Sequence, residues 1–408
     1  MARSELIVGL DIGTTKICVV VGEISPEGVD VVGIGTSPST GLRKGVVVNI
    51  EQTVQSIKKA LEEAELMAGC EIRSVYAGIA GSHIKGFNSH GVIAVKGGEV
   101  GPRDIERVID AAKAVAIPLD REVIHILPQE FIVDDQRGIA DPLGMAGVRL
   151  EVRVHIVTGA VTSAQNIIRS CHRAGLDVSD IVLESLASSK AVLTGEEREI
   201  GVALVDLGGG TTDLAIFAND SIKHTAVLAL GGTNLTNDIA FGLRTPMASA
   251  EKIKIKYGCA LAEMVPKDEV IEVMSVGGRE PRRLSRQVLA EICEPRVEEM
   301  LALVDQELIR SGMKNQIGAG VVLTGGTALI EGIQELGEQI FNLPTRIGYP
   351  DKVGGLKDVV NSPMYATAVG LLMYGAEKEG VEQRFRIRDE NVFNRILGRM
   401  RKWFVDVK

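Results

Sequence analysis

Two stretches of the chain, 195 residues apart, repeat one pattern of apolar and polar positions. They are Leu6-I-V-G-L-D-I-G-T-T-K-I-C-V-V-V-Gly22 and Gly201-V-A-L-V-D-L-G-G-G-T-T-D-L-A-I-Phe217. Each has an apolar, β-branched run, then aspartate, a Gly/Thr-rich turn and a second apolar run, which predicts a β-hairpin with its polar residues at the tip. One copy alone would be an ordinary glycine-rich hairpin. Two copies with aspartate at the same place predict a duplicated domain whose two tips face one ligand.

Two further segments have patterns suited to the same site. Gly320-V-V-L-T-G-G-T-A-L-I-E-Gly332 predicts a buried strand, a Gly-Gly turn and the start of a helix, whose N-terminus suits a phosphate group. Ala248-S-A-E-K-I-K-I-K-Tyr257 has helical spacing, which places Glu251 and Lys254 one turn apart on one face. A solvated salt bridge is the simpler explanation of that pair when it is considered alone.

Residues 391–408 predict an amphipathic helix. On a 3.6-residue helix its apolar side chains fall within an arc of about 120°, and Arg395, Arg399 and Lys402 lie on the opposite side. Phe, Tyr and Trp make up only 3% of the chain, yet the only Trp is here. Aromatic and basic helices of this kind are typical of membrane interfaces, although a helix docked on its own core is the alternative. The apolar positions are Phe393, Ile396, Leu397, Met400, Trp403, Phe404 and Val407.

Composition and charge narrow the class of protein. A chain of 408 residues is too long for one ordinary core, so two or more domains are expected. No apolar run approaches the ~20 residues of a transmembrane helix, and a secretory signal is not expected. The five cysteines are far apart and the six histidines lack metal-ligand spacing, which predicts reduced thiols and no histidine metal cluster. The net charge of −9, with a basic segment at 384–408, argues against nucleic-acid binding and for one local contact.

The residue types at the two hairpin tips indicate a phosphate ligand. Glycines let backbone N–H groups approach an anion closely, threonines add hydroxyl donors, and Lys16 adds a positive charge. Asp11 and Asp206 end the first apolar runs, where a carboxylate can hold the water shell of Mg²⁺. Their alternative role is stabilisation of the turn through bonds to the backbone. The predicted phosphate-binding residues are Gly13, Thr14, Thr15, Lys16, Gly208, Gly209, Gly210, Thr211 and Thr212.

In chain order these segments resemble the nucleotide site of the actin, Hsp70 and sugar-kinase superfamily. Asp11–Lys16 is similar to its first phosphate loop, Asp206–Asp213 to its second, and Leu323–Thr327 to its adenosine loop. Leu183–Leu193 and Asn361–Met373 are similar to the helices that join the lobes. The resemblance implies an α/β, actin-like, two-lobed ATPase fold, built from a duplicated ribonuclease H-like domain that binds ATP and Mg²⁺. It also implies adenosine contacts, which would come from Glu251, Lys254, Gly325 and Gly326.

Within that superfamily the chain is similar to the FtsA family of bacterial cell-division proteins. The stretches HILPQEFIVDDQRGIADPLGMAGVRLEVRVHIVTG and VGGREPRRLSRQVLAEICEPR, together with the terminal helix, carry this resemblance. It implies an FtsA-type inserted subdomain within the first lobe. The implied division is a first-lobe core at 1–82, about 164–200 and 361–376, an inserted subdomain at 83–163, a second-lobe core at 201–226 and 306–360, a small subdomain at 227–305, a flexible linker at 377–390 and a membrane-targeting helix at 391–408.

The same resemblance implies a scaffold of bacterial cell division at the cytoplasmic face of the inner membrane. Such a protein polymerises, tethers the ring of the tubulin-like protein FtsZ to the membrane at the division site and helps recruit later division proteins. Its partners would be the FtsZ C-terminal peptide, other copies of itself and an anionic membrane surface, with no nucleic acid. The implied membrane contacts are Phe393, Ile396, Leu397, Met400, Trp403 and Phe404.

A basic stretch in the second half is the expected contact for the FtsZ peptide. Gly277-G-R-E-P-R-R-L-S-R-Gln287 brings arginines together in an otherwise acidic body and leads into a helical pattern that Pro295 should break. Arginine forks pair well with carboxylates, and the resemblance to FtsA points to Arg282 and Arg286. A solvated basic loop is the alternative.

Two other functions on the same fold remain open. A pilus-assembly adaptor related to FtsA should lack the lipid-binding tail, and a small-molecule kinase would need a general base beside the γ-phosphate. Glu184 lies where chaperone relatives of the fold place a water-orienting carboxylate, so it is the candidate catalytic residue. Because FtsA-like proteins are not vigorous ATPases, the resemblance implies at most weak ATPase activity.

Overall fold

The computed structural model describes residues 6–25 and 28–386. The described residues begin with the first predicted hairpin, which is part of the first large sheet. Helix α1 packs on β2 and β3 of that sheet. This helix is capped by Asn49, whose side chain accepts a bond from the Gln52 N–H, and it ends at Gly69 in a left-handed conformation. The elements are β1 (Leu6–Ile12), β2 (Lys16–Ser25), β3 (Gly28–Pro38), β4 (Leu42–Arg43), β5 (Val46–Val47), α1 (Ile50–Ala68) and β6 (Ser74–Ile79).

The next part of the chain forms a separate four-stranded antiparallel sheet, here called the inserted sheet. Its strand order is β7-β10-β8-β9, and helix α2 packs on β7 and β10 over a core that includes Val108 and Phe131. The elements are β7 (Lys85–Ala94), α2 (Pro102–Lys113), β8 (Arg121–Val133), β9 (Gln136–Ile139) and β10 (Arg149–Ala160).

After the inserted sheet the chain completes the first lobe and builds the second. The remaining elements are α3 (Val161–Ala174), β11 (Asp177–Leu183), α4 (Glu184–Val192), α5 (Gly195–Ile200), β12 (Val202–Leu207), β13 (Thr212–Ala218), β14 (Ser221–Leu228), α6 (Gly232–Gly242), α7 (Met247–Tyr257), β15 (Val270–Val273), β16 (Arg282–Ser285), α8 (Arg286–Arg310), β17 (Val321–Thr324), α9 (Ile333–Phe341), β18 (Thr345–Ile347), β19 (Gly354–Gly355), α10 (Lys357–Val360) and α11 (Ala366–Arg386).

The two large sheets repeat one strand order. The first reads β3-β2-β1-β6-β11, with β19 added beside β3, and the second reads β14-β13-β12-β17-β18. In each, the hairpin is antiparallel and the next two strands run parallel to the first strand of the hairpin. Asp11 pairs with Cys18, and Asp206 pairs with Asp213 at the equivalent register. The predicted duplication of an α/β domain is confirmed.

Helices α4 and α11 cross between the two sheets and join the lobes. Their buried side chains share one apolar core with strands of both sheets, including Val20, Leu204 and Leu372. The helices approach so closely that a Cβ added at Gly370 would lie 1.9 Å from the carbonyl oxygen of Ala187. The separation of the lobes is therefore set by backbone contact.

A polar clasp connects the inserted sheet to the second lobe. It consists of Gln129 and His155 with their partners on β14. The Gln129 Nε2 donates to the carbonyl of Ile222 at 2.8 Å, and the His155 Nε2 lies 2.8 Å from the Thr225 hydroxyl. Burial lowers the pKa of His155 to about 4, so its ring is neutral near pH 7. The inserted sheet thus contacts both lobes.

Helix α8 differs from the sequence prediction, because Pro295 does not break it. Proline lacks the N–H that would bond the Glu291 carbonyl, a defect that costs ~3 kcal/mol or more in a helix interior. Buried side chains on both sides of it, from Leu289 to Leu308, hold the helix against the second-lobe core. Apolar burial outweighs the local defect.

The segment expected to be a flexible linker, 377–390, is helical as far as Arg386, where the described residues end. Its charged residues have partners on the first lobe. Glu377 pairs with Lys190, and Lys378 pairs with Asp180. These ion pairs stabilise α11 beyond its apolar part. The polar composition of this segment therefore does not prevent it from forming a helix.

Replacing Gly370 by alanine should destabilise the protein by about 1–3 kcal/mol through overpacking. Helix propensity alone would predict a gain of ~0.5–1 kcal/mol, so the sign of the change tests the close crossing. Urea unfolding measures it. Gly195→Ala is the matched control, because an added Cβ there meets nothing within 4 Å, and it should be neutral or stabilising. Equal stability of the two variants would contradict the crossing.

Candidate functional site

A cavity of about 310 Å³ lies between the lobes, where the two hairpin tips converge. It is bordered by the turns of both hairpins, by α7, by the turn after β17 and by the start of α4. The predicted residues that line it are Asp11, Gly13, Thr14, Thr15, Lys16, Glu184, Asp206, Gly208, Gly209, Gly210, Thr211, Glu251, Lys254, Gly325 and Gly326. Residues predicted from segments far apart in the sequence are thus brought to one site.

The two hairpin tips approach each other directly. A Cβ at Gly209 would lie 2.6 Å from the Thr15 hydroxyl oxygen, and a Cβ at Gly210 would lie 2.5 Å from that of Thr14. A side chain at either position would therefore displace a threonine of the opposite tip. The Thr14 hydroxyl also accepts a bond from the Gly45 N–H at 3.0 Å, which attaches the turn between β4 and β5 to the first tip.

Several buried carboxyl groups lie close together beside the turns of the two hairpins. Burial raises the pKa of Asp206 to about 6. The Thr367 hydroxyl donates to its Oδ2 at 3.0 Å, and this bond opposes the shift. Burial and the neighbouring Asp206 raise the pKa of Asp213 to about 8. The Oδ1 of Asp213 is buried and has no hydrogen-bond partner among the described residues. Burial also raises the pKa of Asp11.

Lys16 supplies positive charge beside these carboxyl groups. Its Nζ lies 3.8 Å from the Asp11 Oδ2 and donates to the Met364 carbonyl at 2.8 Å. The same ammonium lies 4.6 Å from the centre of the Tyr365 ring. The turn before α11 therefore fixes a lysine of the first hairpin, and the charge is held at the cavity wall.

Glu184 is the first residue of α4 and faces the cavity. Burial, followed by repulsion from Asp11, Asp213 and Asp206, raises its pKa well above the ordinary value. The preceding peptide is held in place because the Leu183 N–H donates to the His125 Nε2 at 3.0 Å. Glu184 therefore holds its proton more tightly than an exposed glutamate does, and only the ionised carboxylate can act as a base.

The other end of the cavity is built by α6 and α7. Glu251 and Lys254 form an ion pair of 2.8 Å, but Lys254 is buried and not solvated. Its Nζ also donates to the Thr236 hydroxyl at 2.9 Å and to the Gly232 carbonyl at 3.2 Å. The pair is a fixed part of the wall, contrary to the simpler explanation of an exposed salt bridge.

The structure differs from the sequence predictions at two features of this site. Thr212 is buried on β13, and its hydroxyl donates to the Leu230 carbonyl at 2.8 Å, so it does not line the cavity. The Gly-Gly turn leads into a 3₁₀ helix at Gly326–Leu329, and the α-helix begins only at Ile333. Gly325 has a φ of 86°, and a Cβ there would lie 2.4 Å from the Asp206 Oδ1. This turn therefore allows close approach to its backbone, but it does not present the N-terminus of an α-helix.

The two arginines assigned to a peptide partner lie away from the cavity and differ from each other. Arg282 is exposed on β16 and donates to the Leu243 carbonyl. Arg286 has a side chain only 12% exposed, pairs with Glu269 at 2.9 Å and also pairs with Glu331. The second arginine is therefore committed to internal ion pairs. The six predicted membrane-binding residues, from Phe393 to Phe404, lie outside the described residues.

Sequence reasoning missed three residues of the site. They are Asp213, Thr367 and Thr327, whose hydroxyl donates to the Gly208 carbonyl at 3.0 Å. Asp213 had a signal, because the second hairpin has Thr-Thr-Asp where the first has Thr-Thr-Lys. Thr327 lies in the predicted adenosine loop and Thr367 in a predicted lobe-joining helix, but no local pattern shows that either hydroxyl reaches the carboxyl groups and turns of the site.

Comparisons with known proteins place this geometry in a family. The family model of Cell division protein FtsA matches residues 203–370, and that of the SHS2 domain inserted in FTSA matches residues 81–158. The chain is 58% identical over 376 residues to Cell division protein FtsA of Pseudomonas aeruginosa, covering 92% of this chain and 90% of the relative. It is 44% identical over 381 residues to that of Escherichia coli (strain K12), with 91% of each covered. For Bacillus subtilis (strain 168) the identity is 38% over 397 residues, covering 96% and 89%.

Solved structures share the fold at much lower identity. A chain of the PilM-PilN type IV pilus biogenesis complex matches with a TM-score of 0.64 and 17% identity, covering 90% of this chain and 98% of that one. MreB 5 of Spiroplasma citri bound to AMPPNP matches with a TM-score of 0.57 and 15% identity, covering 93% and 99%. These likenesses confirm the actin-like fold and do not favour pilus assembly over cell division.

The raised pKa values predict that the free protein loses stability as the pH rises. Folded Asp206 and Asp213 keep their protons up to about pH 6 and 8, whereas the ordinary pKa is 3.8. The folded state therefore binds more protons than the unfolded state in this window, and its stability falls with rising pH. Asp213→Asn removes this penalty, so its advantage over the natural chain should grow by ~1 kcal/mol per pH unit between pH 5 and 8.

Urea unfolding at pH 5, 6.5 and 8, without nucleotide or divalent cations, measures this difference. Titrating groups away from this cluster cancel because both proteins contain them. Loss of the Asp213 charge also eases ionisation of Glu184, which adds to the difference in the same direction. A constant difference between the two proteins across the three pH values would contradict the carboxyl crowding.

Proposed function

This chain belongs to the FtsA family of cell-division proteins, and from that premise we propose that it is an ATP-binding, actin-like scaffold of the dividing cell. It tethers the FtsZ ring to the cytoplasmic face of the bacterial inner membrane at the division site. It polymerises there with copies of itself and helps recruit later division proteins. The observation that carries the proposal is the pair of facing glycine turns, which border one cavity together with Lys16 and a group of carboxyl side chains.

The phosphates of ATP would lie between the two turns. The backbone at Gly13 and Gly208 and the hydroxyls of Thr14, Thr15 and Thr211 line the cavity from opposite lobes. Successive N–H groups of tight glycine turns form concave sites for anions. A nucleotide held in this way contacts both lobes, which supports its role in fixing their relative position.

The carboxyl oxygens beside the hairpin turns suit a hydrated Mg²⁺ ion. The Oδ1 of Asp213 is buried without a partner among the described residues, and burial raises the pKa values of Asp11 and Asp206. A bound cation would offset the cost of ionising these groups. Among the described residues, no three His, Cys, Asp or Glu side chains are arranged to hold a metal directly. Asp11 and Asp206 would therefore act through water, as is common for an ion that gives up water reluctantly. When bound, the ion would neutralise phosphate charge.

The adenosine would occupy the end of the cavity formed by α7 and the turn after β17. Glu251 presents a carboxylate there, and the bonds of Lys254 to Thr236 and Gly232 keep that wall rigid. Gly326 leaves room, because a Cβ there would meet nothing closer than 3.8 Å. This arrangement supports recognition of the sugar and base by fixed groups.

Hydrolysis of ATP should be weak. Glu184 is the candidate for orienting water, but burial and three neighbouring aspartates hold its pKa well above the ordinary value. A carboxyl group that binds its proton more tightly is less often ionised, and only the ionised form can accept a proton from water. A nucleotide that persists suits a scaffold, in which ATP serves as a structural ligand.

The membrane contact is assigned to residues 391–408, beyond the described part of the chain. Among the described residues, no helix is long and apolar enough to cross a membrane. An amphipathic helix with aromatic and basic residues binds the interface reversibly when it acts alone, and each surface Lys or Arg adds about 1 kcal/mol. Filaments present many such helices together, which raises retention by ~10²–10⁴.

Trp403→Glu should release the protein from anionic liposomes, because it places a charge in the apolar face of the terminal helix. Cosedimentation with ATP and Mg²⁺ measures retention, and calorimetry should show unchanged ATP binding. Lys402→Glu, on the polar face, is the matched control and should cause a smaller loss. Full retention of the Trp403→Glu protein would contradict the tether, and absence of ATP binding by the natural chain would contradict the nucleotide assignment.

The FtsZ peptide is assigned to the small two-stranded sheet of β15 and β16. Arg279, Arg282 and Arg283 are exposed there, and their forks suit the carboxylates of a peptide. Arg286 supports the surface from behind through its pairs with Glu269 and Glu331. Its role in this proposal is therefore positioning.

Arg282→Glu combined with Arg283→Glu should weaken binding of the FtsZ C-terminal peptide tenfold or more, since each charge-assisted bond contributes ~1.5–3 kcal/mol. Fluorescence anisotropy of a labelled peptide measures the affinity. Arg103→Glu, a single charge reversal of the same kind on α2, should leave it unaltered. Arg286→Ala should instead lower the free energy of unfolding, because it leaves two acidic partners unpaired. Unchanged peptide affinity in the double variant would refute the assignment.

A further inference from the structure

A second cavity of about 710 Å³ adjoins the nucleotide cavity in the cleft between the lobes. The two cavities share Thr14, Thr15 and Gly210 from the facing turns, and they also share Glu251. Its first-lobe wall is the segment from the end of β3 to β5, residues 39–47, here called the rim segment. Its second-lobe wall is formed by α6 and the start of α7.

The rim segment presents donors without partners. The hydroxyl oxygen of Ser39 is buried and has no hydrogen-bond partner among the described residues. Arg43 and Lys44 line the same cavity, and neither has an ion pair with a described residue. The carboxylate that borders this space, Glu251, is paired with Lys254. A hydroxyl donor and two cations therefore face the cavity with little opposing charge.

The backbone of the rim segment is fixed relative to the phosphate turn. The Ser39 N–H donates to the Thr15 carbonyl at 3.0 Å, and the Gly45 N–H donates to the Thr14 hydroxyl at 3.0 Å. Lys44 has a φ of 51°, which is uncommon for a residue with a side chain. Such conformations persist where the surroundings impose them, and they are frequent at ligand sites. The segment is thus held in one shape beside the first hairpin tip.

We propose that Ser39, Arg43 and Lys44 form a phosphoryl-binding site that receives the terminal phosphate of the nucleotide, or inorganic phosphate after it is cleaved. This inference rests on the proposed function. The site begins at Thr14, Thr15 and Gly210, where the phosphates enter the cleft. Guanidinium and ammonium groups bind phosphate oxygens strongly. A donor set that reaches only the terminal group makes the protein distinguish ATP from ADP.

Calorimetry of the full chain with ATP, with ADP and with ADP plus inorganic phosphate, each with excess Mg²⁺, tests this site. Combined Arg43→Ala and Lys44→Ala should weaken ATP binding about tenfold or more, since charge-assisted bonds are being removed, while ADP binding changes less than about twofold. Ser39→Ala should lower ATP affinity by a smaller factor in the same direction. Lys58→Ala with Lys59→Ala removes equal charge from α1, outside both cavities, and should alter neither affinity.

The outcomes separate this inference from the proposed function. If phosphate increases heat or affinity with ADP in the natural chain but not in the Arg43 and Lys44 variant, the site also holds free phosphate. If the natural chain binds ATP and the variant keeps its ATP-to-ADP ratio, or loses both ligands equally, the phosphoryl site is wrong and the proposed function stands. If the natural chain binds neither nucleotide, both are overturned.

Discussion

The close crossing of α4 and α11 is the constraint on which the rest of the structure depends. Gly370 allows one helix backbone to touch the other at Ala187, so the two sheets that pack on either side are held at a fixed separation. That separation brings Gly209 within contact of Thr15 across the cleft. Packing of small residues at a helix crossing thus sets the geometry of a site that lies at the ends of strands.

The buried carboxyl groups beside the hairpin turns lower the stability of the ligand-free protein. Asp206 and Asp213 are buried side by side, and their pKa values are raised because burial disfavours the charged form. A ligand that brings a cation would relieve this cost and stabilise the folded protein by mass action. Burial and repulsion from the same carboxyl groups also raise the pKa of Glu184 well above its ordinary value.

The inserted sheet is hydrogen-bonded to the segment just before α4 and to the second lobe. His125 on β8 accepts the N–H bond of Leu183, just before α4 begins, and Gln129 and His155 hold β14 of the second lobe. A relative movement of the lobes would break or shift these bonds. The inserted sheet therefore supports the arrangement of the lobes, although it contributes no residue to the cavity wall.

The sequence by itself determined the two hairpins, their tips and the duplication, because strand patterns and glycine turns are local and the repeat is visible in the chain. Tertiary structure decided the features that depend on distant partners. Burial carries α8 across Pro295, ion pairs to the first lobe continue α11 through Glu377, and two acidic partners withdraw Arg286 from the surface. The direction of the Thr212 hydroxyl and the burial of Asp213 follow in the same way from packing. Local pattern fixes the elements, whereas the energies of burial and charge pairing arise only between segments that the fold brings together.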